Sequence, residues 1–233
     1  MTAKVQSVSP LGIETFLRSN RRAYDVTYVA DVESNPFGYR PDCERFVPGF
    51  GDVGADFHVI GNHPGVHGGV TSGIPFTETP GAEALQRTLV RGGLLRKAGT
   101  PPTVASTYLS YLHLCVPERT PTESDYSRYE SFLAAEVRAI AAHVLLPVGE
   151  RATRWVFENM TTKSTDELDM REVHASEVAN GSWLVVPITD PSTWTDDEQR
   201  ELEAALKGVQ DRDYRREADL GRLVGGDEPY FVR

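Results

Sequence analysis

The regular alternation of short apolar runs with segments of helical spacing constrains the fold more than any other feature of this sequence. Four apolar runs have the length and residue types of buried strands: residues 57–60, 104–114, 143–148 and 183–188. Each is followed by a segment with helical periodicity: residues 81–95, 122–142, 149–157 and 196–209. This alternation is typical of mainly parallel sheets covered by helices on both faces. We therefore predict an α/β fold, a three-layer α/β/α sandwich with a four-stranded, mainly parallel sheet.

The length of the chain fits one domain of this class. We predict that residues 1–233 form a single unit with a core over residues 40–210. A short helix is predicted for residues 11–22 and a strand for residues 24–31. The remaining residues, 211–233, form a C-terminal tail that begins with a mixture of arginine and acidic residues, which is typical of a salt-bridged surface.

The charge is acidic and unusually poor in lysine. The formal net charge is -10, and lysine supplies four of the 24 cationic side chains. An acidic, lysine-poor surface keeps a protein hydrated in concentrated salt, so we predict a halophilic protein. The same charge argues against a general nucleic-acid-binding surface, because phosphate backbones are bound by basic patches.

Other features of the sequence bear on location and cofactors. No apolar run approaches the roughly 18 residues that a membrane span requires. The residues after Met1 lack the pattern of a signal peptide, so we expect a cytoplasmic monomer with no membrane partner. Cys43 and Cys115 are too few for a disulfide framework or a four-cysteine metal site. We expect reduced thiols, no metal and no cofactor.

The segment from Gly61 to Phe76 is the candidate ligand loop. Seven of its 16 residues are glycine or proline, which permit tight turns and a close approach of ligand to backbone. It follows the first predicted strand, and sheets of this class bind ligands beyond the carboxyl ends of their strands. Its spacing fits neither a dinucleotide-binding nor a P-loop motif. His63 and His67 are four residues apart, but the intervening Pro64 and Gly65 argue against the helix that a zinc site of this spacing uses.

Several motifs then occur in an order that matches a known family. They are Gly61-x-x-Pro64-Gly65, Gly73-x-Pro75-Phe76, the leucine-rich stretch 81–93, the strand and Cys-x-Pro loop at 108–117, the stretch 132–149, and the stretch 187–192. Together they resemble the uracil-DNA glycosylase superfamily, and its iron–sulfur-containing branch, family 4, is the most similar. The resemblance implies a DNA glycosylase of base excision repair, whose partners are DNA and uracil or a related deaminated or damaged base.

The chain departs from this family at positions that carry its chemistry. Asn62 stands where the first motif normally has a carboxylate, and His63 where a related branch has a water-holding asparagine. Tyr111 replaces the asparagine that reads uracil, and Asp190 replaces the histidine of the last motif. Phe76, at the position whose ring stacks on the extruded base in the family, is retained.

The cysteines that ligate the family's iron–sulfur cluster are incomplete as well. Cys115 matches one of the four, and Cys43 is a candidate for a second. The fourth position falls near Tyr129. The resemblance therefore implies that no cluster is ligated in the family manner.

The residue types at the motifs suggest that two catalytic roles are exchanged. Cleavage of the N-glycosidic bond produces a positively charged sugar and a base anion, so the site needs a polarised water and a donor near the leaving oxygen. In this hypothesis Asn62 positions the water, His63 is the electrophile and Asp190 is the base. The other residues of the predicted site bind the substrate: Gly61, Pro64, Gly65, Pro75, Phe76, Tyr111 and Ser192.

Ordinary structural explanations stay open for the same residues. The polar ones are typical of turns, and Phe76 and Tyr111 are equally typical of a packed core. Trp194, just beyond the last motif, fits either a wedge inserted into DNA or a cap on the core. Two other functions therefore remain open. One is a catalytically inactive protein of the same fold that binds nucleic acid or nucleobases. The other is a hydrolase of small nucleosides, which suits the acidic surface.

Overall fold

The computed structural model describes residues 41–180, 183–212 and 214. The helix predicted for residues 11–22, the strand predicted for residues 24–31 and most of the tail lie outside the described residues. Within the described ranges, no helix combines the length and the apolar character that crossing a membrane would need. That residues 1–233 form a single domain stays a prediction.

Over the described residues the main sheet has six strands, and its four central strands are parallel. In chain order the strands are β1 (Phe50–Gly51), β2 (Phe57–Gly61), β3 (Leu95–Lys97), β4 (Thr103–Val104), β5 (Thr107–Tyr111), β6 (Val144–Pro147), β7 (Val178–Asn180) and β8 (Trp183–Val185). The order across the sheet is β1-β5-β2-β6-β8-β7, with β1 and β7 antiparallel to their neighbours at the two edges. Strands β3 and β4 form a separate antiparallel pair.

The predicted α/β fold is confirmed, but the predicted number of strands is wrong. The four expected strands are the four parallel ones, and the structure adds an antiparallel strand at each edge. The added strands are two and three residues long. Segments this short are below the length at which an alternation of apolar and polar residues can be recognised.

Helices cover both faces of the sheet. They are α1 (Pro64–His67), α2 (Pro80–Arg91), α3 (Glu123–Ile140), α4 (Glu150–Met160), α5 (Met170–Val173) and α6 (Asp196–Gln210). The N-cap of α3 is Thr122, as the sequence predicts. Helix α6 begins with a capping box, in which the backbone amide of Thr195 donates to Glu198 Oε2 at 2.8 Å and the amide of Glu198 donates back to Thr195 Oγ1 at 3.3 Å.

The two largest hydrophobic clusters among the described residues separate the three layers. The core between the sheet and helices α2 and α6 includes Val59, Leu109, Leu146, Leu85, Leu89, Leu202 and Leu206. The core between the sheet and helices α3 and α4 includes Ile60, Leu145, Val185, Val137, Val156 and Phe157. Neighbouring strand residues such as Val59 and Ile60 enter opposite cores, because successive side chains of a strand point to opposite faces. Helices α3 and α4 thus stand side by side on one face.

The prediction of reduced thiols is wrong, because Cys43 and Cys115 form a disulfide bond. They are 72 residues apart in sequence, and their Cα atoms lie 6.1 Å apart. An antiparallel bridge between Phe46 and Cys115 brings the two segments together, and the amide of Val47 donates to the Leu114 carbonyl at 2.9 Å. This pairing depends on long-range contacts, and the sequence around each cysteine carries no local signal for it.

Candidate functional site

A cavity of about 730 Å³ lies where β2, β6 and β8 lead into their following loops. The polar or ionisable side chains around it include those of Asn62, His67, Arg151, His174, Asp190 and Glu198. They come from four separate parts of the chain, which the parallel strands bring to one edge of the sheet. This is the edge at which the sequence predicts a ligand site.

One turn of helix, α1, connects the two histidines of the ligand loop. The sequence argued against a helix between them, and that prediction is wrong. Pro64 occupies the first helical position, where its missing N–H costs nothing, and Gly68 ends the turn with φ at 89°. His63 Nδ1 caps the turn by accepting the Gly65 amide at 3.1 Å. Among the described residues, no group of three potential ligands is placed to hold a metal ion.

The two histidines have different positions relative to the cavity. His67 is 4% exposed and lines the cavity, whereas His63 does not belong to its described lining. Burial lowers the pKa of each to about 4, so both are neutral at pH 7. For His67 the carboxylate of Asp190 acts in the opposite direction, raising the pKa. Within the described residues, neither ring nitrogen of His67 has a hydrogen-bond partner.

Asn62 lines the same cavity, and its position is fixed from two sides. Its backbone carbonyl accepts the amide of His113 at 3.1 Å. Its side-chain Oδ1 accepts the hydroxyl of Tyr126, from helix α3, at 2.6 Å. The predicted catalytic asparagine therefore reaches the cavity with its orientation already determined.

Asp190 lies on another wall of the cavity, after β8. One carboxylate oxygen, Oδ1, accepts the Ser192 amide at 2.9 Å and so caps the short 3-10 turn Pro191–Thr193. No described residue is bonded to the other oxygen. Ser192 is exposed, and its backbone lies against Gly81, where an added Cβ would be 3.0 Å from the Ser192 nitrogen.

Trp194 is held against the protein body. Its indole N–H donates to the carbonyl of Thr189 at 3.2 Å and to Thr189 Oγ1 at 2.8 Å. Its ring packs edge-on against His174, with centroids 6.0 Å apart. Of the two explanations that the sequence leaves open, these contacts support the cap rather than the wedge.

The second part of the ligand loop, from Gly68 to Phe76, is closed by the Tyr111 side chain. The Tyr111 hydroxyl accepts the Phe76 amide at 2.6 Å and donates to the Gly68 carbonyl at 3.0 Å. Gln86 Nε2 donates to the Phe76 carbonyl at 2.7 Å. Both aromatic rings are 1% exposed, and their centroids are 5.1 Å apart.

The same rings leave no space at Gly61. A Cβ added there would lie 2.7 Å from the Phe76 ring and 2.9 Å from the Tyr111 ring. Pro64 and Pro75 are also buried, while Gly65 is exposed. Base binding by these loop residues stays a prediction, since both aromatic faces are covered in this conformation.

The structure brings Asn62 and Asp190 to one cavity, as the hypothesis needs, but puts His67 there in place of His63. It also adds residues that the sequence analysis missed. Arg151 is the second residue of helix α4 and follows the end of β6 by four residues, so the strand-end rule could have found it. His174 had no such signal, because its place depends on hydrogen bonds to Thr189 and to the Glu198 carbonyl.

Comparison with known proteins identifies the family to which this chain belongs. The profile described as "Uracil DNA glycosylase superfamily" matches residues 48–210. This match covers more than half of the chain, so the chain belongs to the uracil-DNA glycosylase superfamily, and the predicted family is confirmed. Membership supports a DNA glycosylase-like role at the level of the family.

One relative of this chain is a protein from Pyrobaculum aerophilum named "Type-5 uracil-DNA glycosylase". It is 30% identical to this chain over 120 residues, which are 49% of this chain and 53% of the relative. The chain thus matches about half the length of this curated relative.

Proposed function

We propose that this protein is a divergent DNA glycosylase that hydrolyses the N-glycosidic bond of uracil or a related deaminated or damaged base. The observation that carries the proposal is the shared cavity of Asn62, His67 and Asp190, in a chain that belongs to this superfamily. The first and last of these residues lie in the two motifs at which the family carries out its chemistry. The volume of about 730 Å³ is within the range of small-molecule sites.

The chemistry divides between the two ionisable groups. The Asp190 carboxylate activates water and stabilises the positive charge that develops on the sugar. His67, neutral because burial lowers its pKa to about 4, donates an N–H to the departing base oxygen. This assignment replaces the one made from the sequence, because His63 Nδ1 is used in capping α1 and His63 lies outside the described lining. The target base must leave the stack to reach this edge of the sheet.

A hydrolase of small nucleosides is the second candidate. The walls of the cavity include four carboxylates, namely Asp190, Glu150, Glu198 and Glu201, against the two arginines Arg151 and Arg171. An acidic lining and a net charge of -10 are unfavourable to a phosphate backbone, but not to an uncharged nucleoside.

The test is base release at high salt. Single- and double-stranded oligonucleotides carrying uracil, hypoxanthine or xanthine are compared with the free deoxynucleosides. We expect release from an oligonucleotide, and losses of at least about 100-fold in Asp190→Asn and in His67→Gln. His63→Gln is the matched control, and its rate stays close to that of the unsubstituted protein.

The other outcomes are distinct. Release from free deoxynucleosides alone establishes the second candidate. If folded protein releases no base from any substrate, the proposal is wrong and the protein is a catalytically inactive member of the fold. A loss in His63→Gln but not in His67→Gln returns the role of electrophile to His63.

A further inference from the structure

The contact between Tyr126 and Asn62 occupies one end of the Asn62 amide. The side chain of asparagine has one acceptor end and one donor end. The acceptor end, Oδ1, receives the Tyr126 hydroxyl at 2.6 Å. The Nδ2 amino group has no partner among the described residues, which leaves both of its hydrogens available.

Tyr126 has an oriented ring and keeps the proton that it donates to Asn62. Tyr126 is at the end of the first turn of α3, and the Arg151 guanidinium lies 4.1 Å from the centre of its ring. This cation–π contact orients the ring. Burial raises the pKa of the Tyr126 phenol, so it remains protonated near neutral pH.

Arg151 is itself fixed by an ion pair across the two helices. Its Nη1 and Nη2 donate to the two carboxylate oxygens of Glu123 at 3.0 and 2.5 Å. Such a two-point contact restricts the guanidinium plane more than a single bond would. The first turns of α3 and α4 are therefore joined in a chain of contacts that ends at Asn62.

We propose that Tyr126 is a positioning residue, which holds Asn62 so that only its N–H donors face the cavity and thereby selects bases with a carbonyl oxygen at the position it meets. Deamination replaces an exocyclic amine, a donor, by a carbonyl oxygen, an acceptor. A fixed N–H group complements the deaminated base and opposes the parent base. Without the Tyr126 hydroxyl the amide can rotate, present Oδ1 and accept an amine equally well.

The inference deepens the proposed function of the same site, but its test does not depend on turnover. Equilibrium binding is measured for single-stranded oligonucleotides that differ only in carrying one uracil or one cytosine. The readout is the ratio of the two dissociation constants at high salt. Where base release is observed, KM and kcat are measured in parallel for the uracil oligonucleotide.

Tyr126→Phe removes the hydroxyl and keeps the ring beneath Arg151. We expect the preference for uracil to fall about tenfold, the worth of one hydrogen bond, with the change in KM rather than kcat. Asn62→Asp, which has no N–H to present, loses the same preference, and adding Tyr126→Phe to it causes no further loss. Tyr129→Phe is the matched control, because this hydroxyl contacts Asp42 and Cys115. It leaves the ratio unchanged.

Three results overturn the inference: no preference for uracil in the unsubstituted protein, an unchanged ratio in Tyr126→Phe, or an equal loss in Tyr129→Phe. If the protein prefers uracil in binding and Tyr126→Phe abolishes that preference, the inference stands even when no base is released. In that case the proposed hydrolysis alone fails.

Discussion

The two parts of the loop after β2 use their contacts in opposite ways. In the first part, Asn62 to His67, polar side chains reach a cavity, and Tyr126 fixes one of them from outside. In the second part, Gly68 to Phe76, the contacts are mainly to the backbone. The Gly69 amide donates to the Thr77 carbonyl at 3.1 Å, the Gly73 amide donates to the Gly69 carbonyl at 2.9 Å, and Tyr111 ties both ends.

This difference separates the part of the loop that is held through its backbone from the part that lines the candidate site. Backbone contacts tolerate many side chains but require particular backbone conformations, so the second part depends on its glycines. The first part depends on which functional groups its side chains carry. Substitutions in the second part should therefore change stability, and those in the first part should change the site.

Adding a methyl group at Gly68 tests most strongly whether the second part of the loop supports the stability of the fold. This residue has φ at 89°, and an added Cβ would lie 1.8 Å from the Thr77 carbonyl oxygen. Gly68→Ala should lower the free energy of unfolding by about 4 kcal/mol or more, measured by urea denaturation. Gly73→Ala is the control: its φ is 71°, but nothing lies within 4 Å, so we expect a cost of about 1 kcal/mol. Equal costs would mean that the close packing at Gly68 does not support the loop.

An acid titration tests the burial of His67, which belongs to the first part of the loop. Its folded-state pKa of about 4 lies below the unfolded value of 6.5. The stability that this difference contributes is fully present above pH 6.5 and is lost as the pH falls through 4. For a side chain 4% exposed, the loss is on the order of 3 kcal/mol. The free energy of unfolding of His67→Gln should therefore fall less steeply between pH 6.5 and 4, and an unchanged slope would contradict the assignment.

Removing one hydroxyl from Tyr111 or from Tyr126 tests which part of the loop depends more on its tyrosine contact for stability. Tyr111→Phe leaves the Phe76 amide and the Gly68 carbonyl without their partner in a buried place, at a cost of about 2 kcal/mol. Tyr126→Phe frees a side-chain oxygen beside an open cavity and should cost less than about 1 kcal/mol. Thermal and urea unfolding of both variants give the two numbers. The reverse order would place the structural support of the loop at Tyr126.

The sequence predicted the parallel sheet because its signal is local. The four central strands lie in mainly apolar stretches, and the helices between them carry a regular apolar stripe and recognisable caps such as Thr122. The edge strands β1 and β7 were missed because their existence depends on pairing with β5 and β8. The disulfide was missed for the same reason, since 72 residues separate its cysteines.

For the candidate site, the sequence could propose positions from motif order, and the roles of those residues stay predictions. Asn62 and Asp190 were found from motif order and share a cavity. Choosing between His63 and His67 required the direction of the one-turn helix α1, which puts only His67 on the cavity. Tyr126 was beyond reach, because it meets Asn62 across 64 positions of sequence.

The disulfide makes a covalent ring of residues 43–115, and this ring contains the strands β1 to β5 and the helices α1 and α2. The exposed positions of the ligand loop, such as Thr71 and Gly73, lie inside it. A protease that cuts one peptide bond there opens the ring but releases no fragment, because the disulfide still joins the two pieces. A single cut at these exposed positions would therefore leave β2 and β5 attached to each other.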